Sequence, residues 1–132
     1  MKYLLDTHIL VWWYLNSNQL KKSYLALIDE CEKNSEPVAI SIISLWEIAY
    51  LASKGKINFS YSIDRWFSEL DKDTWLQILP LTGSIILEST RLGKNFHKDP
   101  ADRLIVATAR QEGLKLLTAD KKIIDSGSVV VA

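Results

Sequence analysis

The sequence has one cysteine, two histidines, no excess of either charge and no long apolar run. Each shortage removes a class of protein. Cys31 stands alone, so it can form no internal disulfide and has no thiolate partner for a zinc site; a reducing, cytoplasmic setting is expected. Lys plus Arg total 16 and Asp plus Glu total 16, so the net charge is zero. Domains that grip nucleic acid by bulk charge are strongly basic, and this chain is not one of them. An enzyme that meets a charged polymer at one place remains possible. The longest uninterrupted apolar run, Ile9 to Leu15, is far short of the ~20 residues that span a bilayer, so no membrane partner is expected. The opening residues Met1-Lys2-Tyr3-Leu4-Leu5-Asp6 read as entry into a core strand and not as a signal peptide. There is no internal repeat, low-complexity tract or long linker, which points to a single domain over 1–132.

What is present suits a folded enzyme-sized unit. Apolar residues make up 48% and are spread along the chain, which argues against disorder. Short apolar segments at Lys2–Asp6, Val38–Ser41, Leu76–Leu81 and Leu114–Thr118 read as strands, with Val129–Val131 as a short fifth. Between them, helical patterns run over Ile9–Leu15, Lys22–Lys33, Ser44–Ser53, Ile63–Lys72, and from Thr82 or Ser84 to about Leu92. The clearest helix is Pro100–Glu112, with Asp99 at its N-cap, Pro100 at its first position and Gly113 just past its end. Alternating strands and helices predict a three-layer α/β/α sandwich around a mostly parallel sheet. The strands lack polar alternation, as expected when both faces of the sheet are covered. Sites in such folds lie beyond the carboxyl ends of the strands.

Four acids stand where a solvated surface acid would not. Asp6 ends the first strand and is the only acid before Asp29. Glu47 is the only charged residue between Glu36 and Lys54. Asp102 shares a helical face with Ile105, Val106 and Ala109, and Asp120 follows the fourth strand. In a parallel sheet Asp6 and Asp120 emerge at one edge, and Glu47 and Asp102 lie within the first turn or so of helices that begin there. Four clustered carboxylates repel one another and lose solvation unless cations neutralise them. Oxygen ligands suit Mg²⁺ or Mn²⁺, and no His or Cys set favours zinc. Such a site can activate water and stabilise the leaving oxygen of an in-line displacement at phosphorus.

Each acid also has a plainer reading. Ser44-x-x-Glu47 has the spacing of a capping box, and Asp99-x-x-Asp102 does so more loosely. Asp6 reads equally as a turn or N-cap acid, and Asp120-Lys121 as an ordinary turn. The joint placement of all four at one edge favours the metal site.

The ordered series Leu5-Asp6-Thr7, Ile40-Ser41-x-x-Ser44-x-x-Glu47, His97-Lys98-Asp99-Pro100-Ala101-Asp102-Arg103 and Leu117-Thr118-x-Asp120 resembles the PIN-domain family, in its VapC-like branch of toxin ribonucleases from type II toxin–antitoxin systems. The resemblance implies Mg²⁺- or Mn²⁺-dependent endoribonuclease activity on RNA phosphodiester bonds, with Asp6, Glu47, Asp102 and Asp120 as metal-binding, catalytic acids. It implies Thr118 as a hydroxyl supporting a ligand or water, and Asp99 as a helix cap and further acid at the rim. It also implies a homodimer and a cognate antitoxin protein. His8 stands where many relatives carry Asn or Ser, and reads as a solvent-exposed or helix-end histidine.

Arg103, Lys98 and Lys121 flank these motifs, with Lys94 and Lys122 nearby, and are candidates for RNA phosphate contacts; plain solvated surface is the alternative for most of them. Trp12 and Trp13 are neighbours on one helix, about 100° apart, so one of them is expected at a dimer or antitoxin contact. Competing functions fit less well. A non-catalytic RNA- or protein-binding relative would not need all four acids. A receiver-type signalling domain needs an acid pair after the first strand and an acid after the middle one. Here the first strand ends in a lone Asp6, and Leu79-Pro80-Leu81-Thr82 carries no acid. An aspartyl phosphatase usually needs a second acid in Asp6-Thr7-His8, and none is there.

Overall fold

A computed structural model describes residues 1–132. Four strands, β1 (Tyr3–Leu5), β2 (Val38–Ser41), β3 (Leu76–Leu79) and β4 (Lys115–Leu117), form one sheet in the order β3-β2-β1-β4. Every pairing is parallel. The chain winds outward from β1 through β2 to β3 and then returns to place β4 on the other side of β1. The winding therefore reverses between β1 and β4, which is where a cleft opens in such sheets. Val131 makes only an isolated bridge to Leu116, so the expected fifth strand is reduced to one pairing.

The pleat sends alternate residues to opposite faces, and the two faces carry separate cores. Leu5, Val38, Ile40 and Leu117 face a larger, aromatic-rich core with Ile9, Leu10, Tyr24, Ile28, Trp66 and Trp75. Leu4, Ala39 and Leu116 face a smaller one with Ile105, Val106, Ala109 and Ile123. Helices α1 (Thr7–Tyr14), α2 (Lys22–Lys33) and α4 (Ile63–Lys72) supply the first core. Helix α3 (Ile42–Ser53) reaches it through Leu45 and Ile48. Helices α6 (Pro100–Glu112) and α7 (Lys121–Ser126) supply the second, and α5 (Gly83–Ser89) precedes α6. The expected α/β/α layering is present. No helix is long and apolar enough to cross a membrane.

Three local expectations are corrected. Helix α3 begins at Ile42 because the Ser41 hydroxyl accepts from the Ile43 amide as N-cap. Ser44-x-x-Glu47 is therefore not a capping box, and Glu47 lies in the second turn. Asp120-Lys121 is no simple turn but the start of α7, with the Asp120 carboxylate accepting from the Lys122 amide. Trp12 and Trp13 do not divide between core and surface, which corrects the geometric premise and leaves a partner contact at either ring open. Both are half-buried against the aromatic core; Trp13 packs edge-on to Trp75 and donates its indole N–H to Asp29. The exposed tryptophan is Trp46, at 60%.

Candidate active site

Each acid of the site is placed by the start of a helix or the end of a strand. Asp6 leaves β1 and caps α1, its Oδ1 accepting from the Thr7 amide at 2.8 Å. Its other oxygen accepts from the Thr118 hydroxyl at 2.7 Å. Thr118 follows β4, so this bond, with that of the Asp6 amide to the Leu117 carbonyl, ties the ends of the two strands at which the winding reverses. The same hydroxyl accepts from the Asp120 amide at 3.0 Å, which aims Asp120 toward the cleft. Tyr24 of α2 donates toward the Thr118 carbonyl and the Ala132 carbonyl, holding this corner from below.

Glu47 is held from the opposite side. Thr7 Oγ1 lies 2.6 Å from Glu47 Oε1 and 2.8 Å from the Ser44 hydroxyl. With one hydrogen to give, Thr7 donates to the carboxylate and receives from the serine. Asp102 sits in the first turn of α6, whose start is fixed by Asp99 accepting from the Ala101 and Asp102 amides. Asp102 makes no return bond to the Asp99 amide, so Asp99-x-x-Asp102 is a one-way cap and not a capping box.

These residues line one open cavity of about 510 Å³, formed by Asp6, Glu47, Asp102 and Asp120 with Asp99, His8, His97, Lys98 and Lys122, and no hydrophobic residue. All four expected acids are therefore brought together. Asp6 is only 4% exposed. Burial holds its carboxyl above the usual range, against the lowering effect of the Thr118 and Thr7 hydrogen bonds. Glu47 is raised by burial and by Asp6 and Asp99. Asp102 is raised to about 7, first by burial and then by Asp6, Asp99, Asp120 and Glu47. Carboxylates that raise one another in this way are a cluster short of positive charge. A divalent cation with hard oxygen ligands fits them.

The basic residues sort differently from the expectation. Lys98 lines the cavity, but Lys121 does not, and Lys122 takes its place. Arg103 is engaged within the chain. Its guanidinium donates to the carbonyls of Ser89 and Phe96 and lies over the Phe96 ring, so it pins the loop before α6 to the end of α5. His8 is exposed at the start of α1 and lies on the cavity wall. Sequence reasoning missed the supporting roles of Thr7 and Ser44, and His97. His97 was visible only as the first residue of the segment that runs to Arg103.

A second depression, of about 640 Å³, adjoins the first and shares His8, Glu47 and Asp99 with it. Its remaining lining is mostly apolar, with Ile43, Trp46, Tyr50 and Leu51 from α3 and Ala101 and Leu104 from α6. Trp46 and Tyr50 are one helical turn apart and stack with ring centres 5.4 Å apart.

Known proteins match this chain over nearly its whole length. The PIN domain matches residues 3–127. Ribonuclease VapC22 of Mycobacterium tuberculosis is 30% identical over 120 residues, covering 91% of this chain and 88% of that protein. The toxin–antitoxin complex VapBC2 of Rickettsia felis, bound to a DNA fragment from its promoter, contains a chain that superposes with a TM-score of 0.72 at 26% identity. That match covers 100% of this chain and 98% of the other. DNA-bound VapBC from Salmonella typhimurium gives 0.71 at 18% identity, covering 100% and 97%, a likeness of fold.

Proposed function

This chain belongs to the PIN-domain family, and from that premise we propose that it is a divalent-metal-dependent endoribonuclease, the toxin of a toxin–antitoxin pair acting in the cytoplasm. The observation that carries the reading is the convergence of Asp6, Glu47, Asp102 and Asp120 on one cavity without an apolar wall. The four carboxylates would hold Mg²⁺ or Mn²⁺, which supplies an activated water and neutralises charge on a phosphodiester. The protein's own groups do the positioning. Thr118 fixes Asp6 relative to Asp120, and Thr7 fixes Glu47. Lys98 and Lys122 line the cavity and would meet flanking phosphates, a contact that orients a strand without reading its sequence.

RNA as substrate follows the ribonuclease relative. A cognate antitoxin follows the VapBC complex, and the apolar groove beside the cleft supports a protein partner, either the antitoxin or a second copy of the chain. Exposed apolar patches next to a site commonly mark such contacts.

The test is cleavage of a mixed RNA pool by the purified protein in Mg²⁺, in Mn²⁺ and in EDTA. Cleavage that requires the metal and is lost in Asp102→Asn is expected. Cleavage unaffected by EDTA, or retained in the variant, would overturn the assignment.

A further inference from the structure

We propose that His97 is a nitrogen ligand for the divalent cation of the cleft, forming with Asp102 and Asp120 a mixed nitrogen–oxygen set that favours Mn²⁺ over Mg²⁺. The inference rests on the metal-dependent reading above and adds a residue which that reading does not use.

Three observations carry it. First, one ligand atom from each of His97, Asp102 and Asp120 lies within 4.8 Å of the other two. Bonds of about 2.0–2.2 Å to a shared ion put opposite ligand atoms about 4.4 Å apart and adjacent ones about 3 Å apart, so the three groups are near enough to draw onto one ion by side-chain adjustment. Second, His97 Nε2 is shielded from solvent yet makes no hydrogen bond. It lies 3.4 Å from Asp102 Oδ2, a charge contact without a hydrogen bond. A shielded ring nitrogen without a hydrogen bond is uncommon, and a bound cation would give it a partner. A cation between the imidazole and the two carboxylates satisfies all three groups at once.

Third, the ring is held in place before any ion arrives. It stacks on Phe96 with ring centres 4.8 Å apart and planes within 18°. Phe96 is buried, and Arg103 grips its carbonyl and covers its ring. Arg103 therefore contributes to the site indirectly, by fixing the loop that presents His97. A ligand restrained by a packed support loses little freedom on binding.

The chemical consequence is selectivity. Imidazole is a softer donor than carboxylate and suits transition-metal ions, whereas Mg²⁺ strongly prefers oxygen. A set of only carboxylates would discriminate weakly in favour of Mn²⁺; one with His97 should discriminate more strongly.

The experiment is Mn²⁺ loading of the full chain without RNA, followed by pulsed electron paramagnetic resonance for nitrogen coupled to Mn²⁺. Calorimetry gives Mn²⁺ and Mg²⁺ affinities on the same samples. The chain has only two histidines, so His8→Gln and His97→Gln separate the sources. Nitrogen coupling is expected in the unmodified protein and in His8→Gln, and is lost in His97→Gln. Mn²⁺ affinity should fall at least about tenfold in His97→Gln, with Mg²⁺ affinity changing less than about threefold. Should His97→Gln fail to fold, the signal in the unmodified protein and its survival in His8→Gln still decide the question. Bound Mn²⁺ without nitrogen coupling, or coupling that survives in His97→Gln, overturns the ligand assignment and leaves the nuclease reading intact. A protein that binds no Mn²⁺ overturns the metal reading, and this proposal with it.

Discussion

The acidic cleft and the apolar groove lie side by side on the same two helices and are lined in opposite ways. Glu47 stands on the border of the two and reaches the cleft, while Trp46 and Tyr50, on the same helix, face the groove. Asp102 faces the cleft, while Ala101 and Leu104 face the groove. Neighbouring helix positions point about 100° apart, so one helix can serve two surfaces of unlike chemistry. The contrast teaches what each surface lacks. The cleft holds charge that its own residues do not neutralise. The groove exposes aromatic area that the rest of the chain does not cover. A small cation relieves the first, and only a large apolar surface relieves the second.

The comparison is broken most severely by removing the charge. Asp102→Asn should lower metal-dependent RNA cleavage by at least about a hundredfold, measured as initial rate at saturating Mg²⁺. It should leave partner binding through the groove unchanged. A variant that cleaves normally would mean that the cleft does not depend on this carboxylate.

The converse change sharpens it. Trp46→Ser combined with Tyr50→Ser should weaken self-association or antitoxin affinity at least about tenfold, since buried aromatics dominate such interfaces. Mn²⁺ affinity by calorimetry should stay the same. Equal partner affinity in the double variant would show that the groove is not a contact surface.

A smaller effect is expected at Arg103, which lies behind the cleft wall. Arg103→Met removes two hydrogen bonds from a charged group to backbone carbonyls, and should cost about 1–3 kcal/mol in chemical denaturation. The salt dependence of RNA binding should not change. A shallower salt slope in the variant would restore Arg103 as a phosphate contact.

Much of this was legible in the sequence, and the reasons are physical. Helices α2, α4 and α6 and strand β2 fall where apolar spacing and caps placed them. Asp6, Glu47, Asp102 and Asp120 stood out because each interrupts an apolar context, and all four reach one cavity. Contacts fixed by tertiary packing were not legible. Ser41 outcompetes Ser44 as the cap of α3 because the chain turns directly from β2 into the helix. Helix α7 has too few apolar residues to show a period and is recognisable only from the Asp120 cap. Trp12 and Trp13 find room on one aromatic core because α2, α4 and the segment leading into β3 close around them. His97 lies in a loop, where no periodicity tells which way a ring points.

The central claim is that the cleft is a set of carboxylates held together for a cation, and one measurement addresses it directly: thermal melting of the metal-free protein at pH 5 and pH 8, with and without Mg²⁺. Asp6, Glu47 and Asp102 have carboxyl groups raised above their ordinary values, Asp102 to about 7. Between those ordinary values and the raised ones, the folded protein holds protons that the unfolded chain has released, so stability is full at low pH and is lost as pH rises through about 7. The account predicts a lower melting temperature at pH 8 than at pH 5 without metal, and its recovery at pH 8 when Mg²⁺ is added. A melting temperature that does not fall between pH 5 and pH 8, and does not respond to Mg²⁺ at pH 8, would contradict it.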